Sequence, residues 1–301
     1  MTFVSVIIDN YNYERFLKEA ADSVLKQSYT NLELIIVDDG STDNSRSVIK
    51  NICDNDKRAI YSFKDNGGQL SGINHGIELA KGDVIFLLDA DDYFKPDYIE
   101  KAVHIYASYP DCDFLFCGIE DFGASTRIRL QYPKNQITDL GYTPYLTFCK
   151  NRGIGEMTSA LSFRKKMADN MFPIPLENSR QIRPDDCIWK ISSLLLARKY
   201  YLAEPLVRYR VHENNAHVRM NSDIRYLHKV YDTELLAFIH KHFHYFSYSL
   251  RHHNHARMLF IEAQTGEKPK SLKKIYVKTI LYGNRSPLFY RIYYCLLLMI
   301  S

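Results

Sequence analysis

Three groups of carboxylates hold most of the chemistry available to this sequence. Asp89-Ala90-Asp91-Asp92 sets three acids within four residues, directly after the apolar run Val84-Ile85-Phe86-Leu87-Leu88. Acids this close repel one another, a costly arrangement unless a cation or hydrogen-bond donors sit among them. Carboxylates two apart suit one Mg²⁺ or Mn²⁺ bound through one or two oxygens, with coordination positions left for phosphate oxygens. A solvated acidic turn would read the same way. Asp38-Asp39-Gly40-Ser41-Thr42-Asp43 likewise follows an apolar run. Its carboxylates at the rim can accept from base or ribose donors, Gly40 permits the turn, and the hydroxyls with Asp43 can cap a helix. A bare strand-to-helix turn has the same composition. Asp185-Asp186 after Pro184 reads, taken alone, as the acidic first turn of a helix.

The elements that must position these acids follow from periodicity. Val4 to Ile8, Leu32 to Val37, Ala59 to Phe63 and Val84 to Leu88 are β-branched-rich runs, and the segments from Glu14, Asp43 and Gln69 carry apolar residues at helical spacing. This βαβαβαβ order predicts an α/β fold, with a mostly parallel sheet and helices on both faces. Ligands of such sheets sit beyond the carboxyl ends of the strands, where Asp9-Asn10-Tyr11-Asn12 also lies. After Asp97 the pattern gives a helix to about Ser108, strands at Phe114 to Cys117 and around Ile128, then a helix and a strand near Ala160 to Phe163. From about Ser222 it is helical.

Composition bounds the rest. The 301 residues are 46% hydrophobic and 25% charged, with a net charge of +4, which fits a globular chain and argues against nucleic acid as partner. Six dispersed cysteines form no disulfide framework and no zinc spacing, so a cytoplasmic setting fits. The N-terminus reads as a strand, not a signal peptide. His240 and His244 have helical metal-site spacing and lie near His242, His252, His253 and His255, but no Glu or Cys accompanies them, so they read as solvated side chains. Phe238, Phe243, Tyr245, Phe246 and Tyr248 read as helix packing. After Glu267 the chain holds seven Lys or Arg residues and no acid, an excess larger than the net charge of the whole. Interleaved with Tyr, Phe and Leu, residues 268–301 suit an anionic membrane surface, inner-face and peripheral, or a helical hairpin docked on the main domain.

Several spaced motifs together carry a resemblance. VSVIIDNYNYERFLKEAADSVLKQSYTNLELIIVDDGSTDNS and NGGQLSGINHGIELAKGDVIFLLDADD resemble the nucleotide-sugar-binding half of family 2 glycosyltransferases, which have the GT-A fold. Arg183-Pro184-Asp185-Asp186-Cys187-Ile188-Trp189 is similar to the family's acceptor-side acidic pair, and Tyr209-Arg210-Val211-His212-Glu213-Asn214-Asn215 to its YRxHxxN segment. The resemblance implies a domain over 1–218, with a donor half at 1–100 and an acceptor half at 101–218, and the helical pattern beyond it gives a separate C-terminal region at 219–301.

The roles the resemblance implies fall on particular residues. Tyr11 would flank the base, Asp39 accept from its imide, and Asp9 sit beside them, with Asp38 and Ala90 in the same nucleotide-binding set. Asp89 and Asp91 match the DxD, implying ribose contact and metal coordination, with Asp92 and His212 as further metal ligands. Gly68, Gln69 and Asn74 would border ribose and diphosphate, and Asp186 would be the general base. The resemblance thus implies an inverting, Mn²⁺- or Mg²⁺-dependent transfer from a nucleotide sugar, UDP-linked by preference, to a saccharide or lipid-linked glycan in surface polysaccharide or glycoconjugate synthesis. A catalytically silent nucleotide-sugar-binding or scaffold protein is the alternative. Asp9 and Asn10 depart from the family's small residues, Ile73 from its basic one, and Asp185 from its commoner Glu. The absence of a QxxRW segment after Asp186 argues against a processive synthase.

Overall fold

Strands covered on both faces need apolar residues at nearly every position, and the first strands have them. In the computed structural model, β2 (Leu32–Asp39) is buried throughout, and β1 (Val4–Asn10) and β4 (Val84–Asp89) are buried except at Asp9 and Asp89. The structure describes residues 1–132, 136–175, 183–212, 235, 237–239, 241, 243, 255–282 and 286–300. Alternation along these strands feeds two cores. Even positions such as Val6, Ile8, Leu34 and Ile36 pack with Leu17, Ala20 and Val24 of α1 (Glu14–Leu25) and Ile49 of α2 (Ser45–Asn55). Odd positions Ile7, Ile35, Val37, Ile85 and Leu87 pack with Leu70, Ile73 and Ile77 of α3 (Gln69–Leu79). Continued outward, the odd series reaches Asp9, Asp39 and Asp89, so all three leave the sheet on the α3 side.

The strand order is β3-β2-β1-β4-β9-β6-β10-β5. Strands β3 (Ala59–Lys64), β2, β1 and β4 are parallel neighbours. The short β9 (Leu161–Arg164) runs antiparallel between β4 and β6 (Phe114–Gly123), and β6 pairs in parallel with β10 (Lys199–Val211). Short antiparallel pairings add β5 (Tyr93–Phe94) and β8 (Ile137–Gly141) to β10, and β7 (Ile128–Arg129) to β6. The strand expected to stop at Cys117 therefore runs to Gly123. Sequence periodicity missed β10, because Glu204, Pro205, Arg208 and Arg210 interrupt its apolar run and its register shifts around Pro205. The remaining elements of this half are α4 (Tyr98–Ser108), α5 (Pro144–Lys150), a 3₁₀ turn at Thr158–Ala160, α6 (Lys165–Met171) and α7 (Pro184–Leu194).

The C-terminal helices α8 (His255–Ala263), α9 (Lys270–Tyr282) and α10 (Leu288–Ile300) are docked: Leu259, Leu272, Tyr276 and Ile280 share one core with Leu146 and Phe163. Buried Glu262 fastens the join. Its carboxylate accepts from the backbone N–H groups of Tyr145 (2.6 Å) and Leu146 (3.0 Å) at the start of α5, and from the Tyr276 hydroxyl (2.6 Å). Burial pushes Glu262 up to about 7 and the neighbouring Lys268 down to about 8. The boundary expected at residue 218 lies outside the described residues, as do His240, His242, His244, His252 and His253. Of the aromatic series, Phe243 is buried and Phe238 packs on the same core, while Tyr245, Phe246 and Tyr248 lie outside the described residues. No helix among the described residues is long and apolar enough to cross a membrane.

Candidate active site

The three odd-position acids meet at the carboxyl ends of adjacent strands, where Asp9 stands in register with Asp89. Asp39 is held by the Lys64 ammonium (2.6 Å) and the N–H groups of Gly67 (2.9 Å) and Gly68 (2.7 Å). A carboxylate thus lies at the positive end of α3, where the helix dipole favours it. Gly40 brings the β2–α2 turn against that loop: its φ is +77°, and a Cβ there would fall 2.7 Å from the Asn66 nitrogen. Asp9 has no such donors. Its Oδ1 is buried without a hydrogen-bond partner, and burial, then Asp39 and Asp89, push its carboxyl well above the usual range. Only glycine fits behind it, since a Cβ on Gly72 would lie 1.7 Å from that oxygen.

The Asp89–Asp92 turn is braced from three directions. Gln69 donates to Asp89 Oδ1 (2.6 Å) from α3. The Ser159 hydroxyl donates to Asp92 Oδ2 (2.6 Å) and accepts from the Asp89 N–H (3.1 Å). From the end of β10, the Arg210 N–H donates to Asp92 Oδ1 (2.9 Å) and its guanidinium to the Asp91 carbonyl (2.9 Å). That guanidinium is sandwiched between Phe16 and Phe122, 4.4 Å from each ring centre, and pairs with Glu19. Two residues on, His212 Nε2 lies 2.9 Å from Asp91 Oδ2 while its ring packs on Phe16 and Tyr13.

Carboxylate oxygens of Asp89, Asp91 and Asp92 lie within 4.8 Å of one another. Burial, then Asp91 and Asp185, lift Asp89 to about 8, and burial with Asp91 and Asp89 lifts Asp92 as well. A dication would relieve this repulsion, and a hard oxygen set with one imidazole suits Mn²⁺ or Mg²⁺. The residues therefore fit such an ion. Gln69 donates to Asp89, His212 lies against Asp91, and Ser159 and Arg210 each donate to one oxygen of Asp92. Asp92 thus ties the turn to Ser159 and Arg210.

A family model described as glycosyl transferase family 2 matches residues 5–172. The chain belongs to glycosyl transferase family 2. An uncharacterized glycosyltransferase of Nostoc sp. is 36% identical over 219 residues, 71% of this chain and 66% of that protein. One of Haemophilus influenzae is 39% identical over 127 residues, 40% of this chain and 50% of that one. The matched stretch is thus less than two thirds of these relatives. Among solved structures, S. aureus TarS residues 1–349 in complex with UDP-GlcNAc superpose with TM-score 0.61 at 17% identity, covering 98% of this chain and 89% of that one. Mannosyltransferase PcManGT from Pyrobaculum calidifontis, in complex with GDP-Man and Mn²⁺, gives 0.56 at 17%, covering 99% and 86%. The GT-A fold expected from the resemblance is the fold observed.

In this family 2 chain the residues expected to bind nucleotide divide into two groups. Asp9, Asp39, Gly68, Gln69 and Asp89 gather on the α3 side, and Tyr11 stands at the rim with 45% of its surface exposed. Asp38 does not join them: strand alternation turns it to the other face, where Asn10 (3.0 Å), the Ser41 N–H (3.2 Å) and Arg46 (3.2 Å) engage its fully buried carboxylate. Ala90 is turned the same way, its methyl buried in the core with Phe94 and Tyr98. Asn74 is spent on the chain, its amide exchanging two hydrogen bonds with the backbone of Ile174 (3.1 and 3.0 Å). At the start of α7, Asp185 is buried against Arg183 (3.1 Å), and burial raises its carboxyl. Asp186 is more open and pairs with buried Lys190 (2.7 Å). Sequence reasoning missed Arg210, Ser159 and Lys64. Lys64 could have been found, since it ends the third strand at the ligand edge; Ser159 carries no local signal.

Proposed function

We propose that this chain transfers a sugar from a nucleoside-diphosphate donor, UDP-linked by preference, to a hydroxyl of a saccharide or lipid-linked glycan acceptor, with inversion. The observation that carries the reading is the convergence of Asp89, Asp91 and His212 beyond the carboxyl ends of parallel strands, where open sheets bind ligands. The UDP-GlcNAc, and the GDP-Man with Mn²⁺, named in the two neighbouring structures support a nucleotide sugar with a divalent cation. Tyr11 would flank the base, and the loop around Gly68 would border the phosphates. Asp89 and Asp91, with His212 beside them, would hold Mn²⁺ or Mg²⁺, which when bound offsets the charge gathering on the leaving diphosphate.

The remaining work falls to the chain's own groups. Gln69, Ser159 and Arg210 keep the acid turn in one geometry, so little reorganisation is left for the transition state. Asp186 takes the proton of the acceptor hydroxyl as that oxygen bonds to the anomeric carbon and the bond from carbon to diphosphate oxygen breaks. Attack from the face opposite the leaving group inverts the centre. A panel of nucleotide sugars with Mn²⁺ should give turnover with one of them, and Asp91→Ala should abolish it. If no nucleotide sugar is bound or turned over, and Asp91→Ala binds Mn²⁺ as the unmodified protein does, the reading fails.

A further inference from the structure

Two exposed stripes remain unused by the site. On α9, Lys270, Lys274, Lys278 and Tyr282 recur every fourth residue, all are exposed, and every fourth residue of a helix lies on one face. On α10, Phe289, Tyr293 and Leu296 are 74%, 48% and 55% exposed, while the opposite face is held by buried Cys295 and Leu298 and by Tyr294, whose ring meets Phe260 at 5.4 Å. Arg291 is turned inward, donating to the carbonyls of Ser286 (2.5 Å) and Leu281 (3.1 Å). The outer face of α10 is therefore largely apolar and aromatic, and the two helices pack on each other.

We propose that α9 and α10 form a docking surface for an anionic lipid bilayer, with α10 lying in the headgroup region. Charge complementarity selects the occupant, because no acidic residue follows Glu267 in the sequence. Lysines beside aromatic and aliphatic side chains are the pattern of helices that rest at a lipid interface. With Cys295 and Leu298 buried against the rest of the protein, only the outer face of α10 is left for lipid, so the helix lies along the surface. A second copy is disfavoured, since a twofold contact would bring two like-charged surfaces together with no acidic residue after Glu267 to offset them.

The test needs no activity and so stands apart from the transfer reading. The full chain is pelleted with vesicles of phosphatidylcholine alone, or of phosphatidylcholine with phosphatidylglycerol, at low and high NaCl. Binding is expected only to the anionic vesicles and is expected to weaken with salt. Each lysine near an anionic surface strengthens binding about fivefold, so neutralising three of them in K270Q/K274Q/K278Q should weaken it by about a hundredfold. F289S/Y293S/L296S should weaken it too, with both variants keeping the parent's circular dichroism and melting. The proposal is overturned if the unmodified chain stays in the supernatant with anionic vesicles, or if the lysine variant pellets as well as the parent. It is also overturned if the serine variant only turns a dimer into a monomer with vesicle binding unchanged.

Discussion

Gly72→Ala should change sign with its background. Alanine in place of a helical glycine ordinarily stabilises by about 1 kcal/mol, and α3 is a regular helix here. At this position, however, the new Cβ would lie 1.7 Å from Asp9 Oδ1, against an ordinary contact of 3.4–4 Å. Either the carboxylate or the helix must retreat by well over an ångström, and Asp39 and Asp89 stand on either side. Overpacking of this kind costs about 1–3 kcal/mol. In the unmodified chain Gly72→Ala should therefore destabilise. In an Asp9→Ala background the obstructing oxygen is gone and the same change should stabilise, a coupling of about 2–4 kcal/mol in a double-mutant cycle. For a chain of this size each kcal/mol moves Tm by about 2–4 °C, so thermal melts of the four proteins suffice. The rate of transfer should fall as well, because a misplacement of about 1 Å in a site costs about 10²-fold in rate. Equal effects of Gly72→Ala in both backgrounds would refute the reasoning.

Two further outcomes are expected. Asp186→Asn should keep donor binding and lower kcat by about 10²–10⁴, with Asp185→Asn affecting kcat far less; single-turnover transfer checks both, and the reverse pattern moves the base to Asp185. Glu262 is held at about 7 by burial, above its value of about 4.3 in an unfolded chain. The folded state therefore binds this proton more tightly, and the stability it contributes is present at low pH and lost as pH rises from about 4.3 through about 7. Urea melts should show the chain losing stability across that window relative to Glu262→Gln; a difference that is flat or grows with pH contradicts the assignment.

Much of the donor side was legible because it is local. Each of β1, β2 and β4 is a contiguous apolar run ending in acids, and strand parity alone separates Asp39 from Asp38 and Asp89 from Ala90. That separation was available from the alternation of the runs, but the polar residues inside them, Ser5 and Glu33, are themselves buried and bonded to each other (2.6 Å), so they mark no open face. The bracing of the acid turn was not legible, because its partners are remote: Arg210 reaches Asp92 across 118 residues and Ser159 across 67. Arg210 lay inside a recognised motif without a role, since nothing in a sequence says which strand will lie beside which. Tail docking through Glu262 was hidden for the same reason, as its partners Tyr145 and Leu146 lie 117 and 116 residues away.

The distance between Asp92 and Arg210 also orders events in time. Strand β10 is laid down late yet inserts between β6 and β5, inside the sheet. At about 5–20 residues per second a ribosome takes on the order of ten seconds to pass from the acid turn to the arginine that clamps it. Throughout that interval the nascent chain carries its repelling carboxylates without Arg210 or His212. Assembly of the site is therefore a late step of folding, set by the arrival of a strand beyond the segment that defines the family.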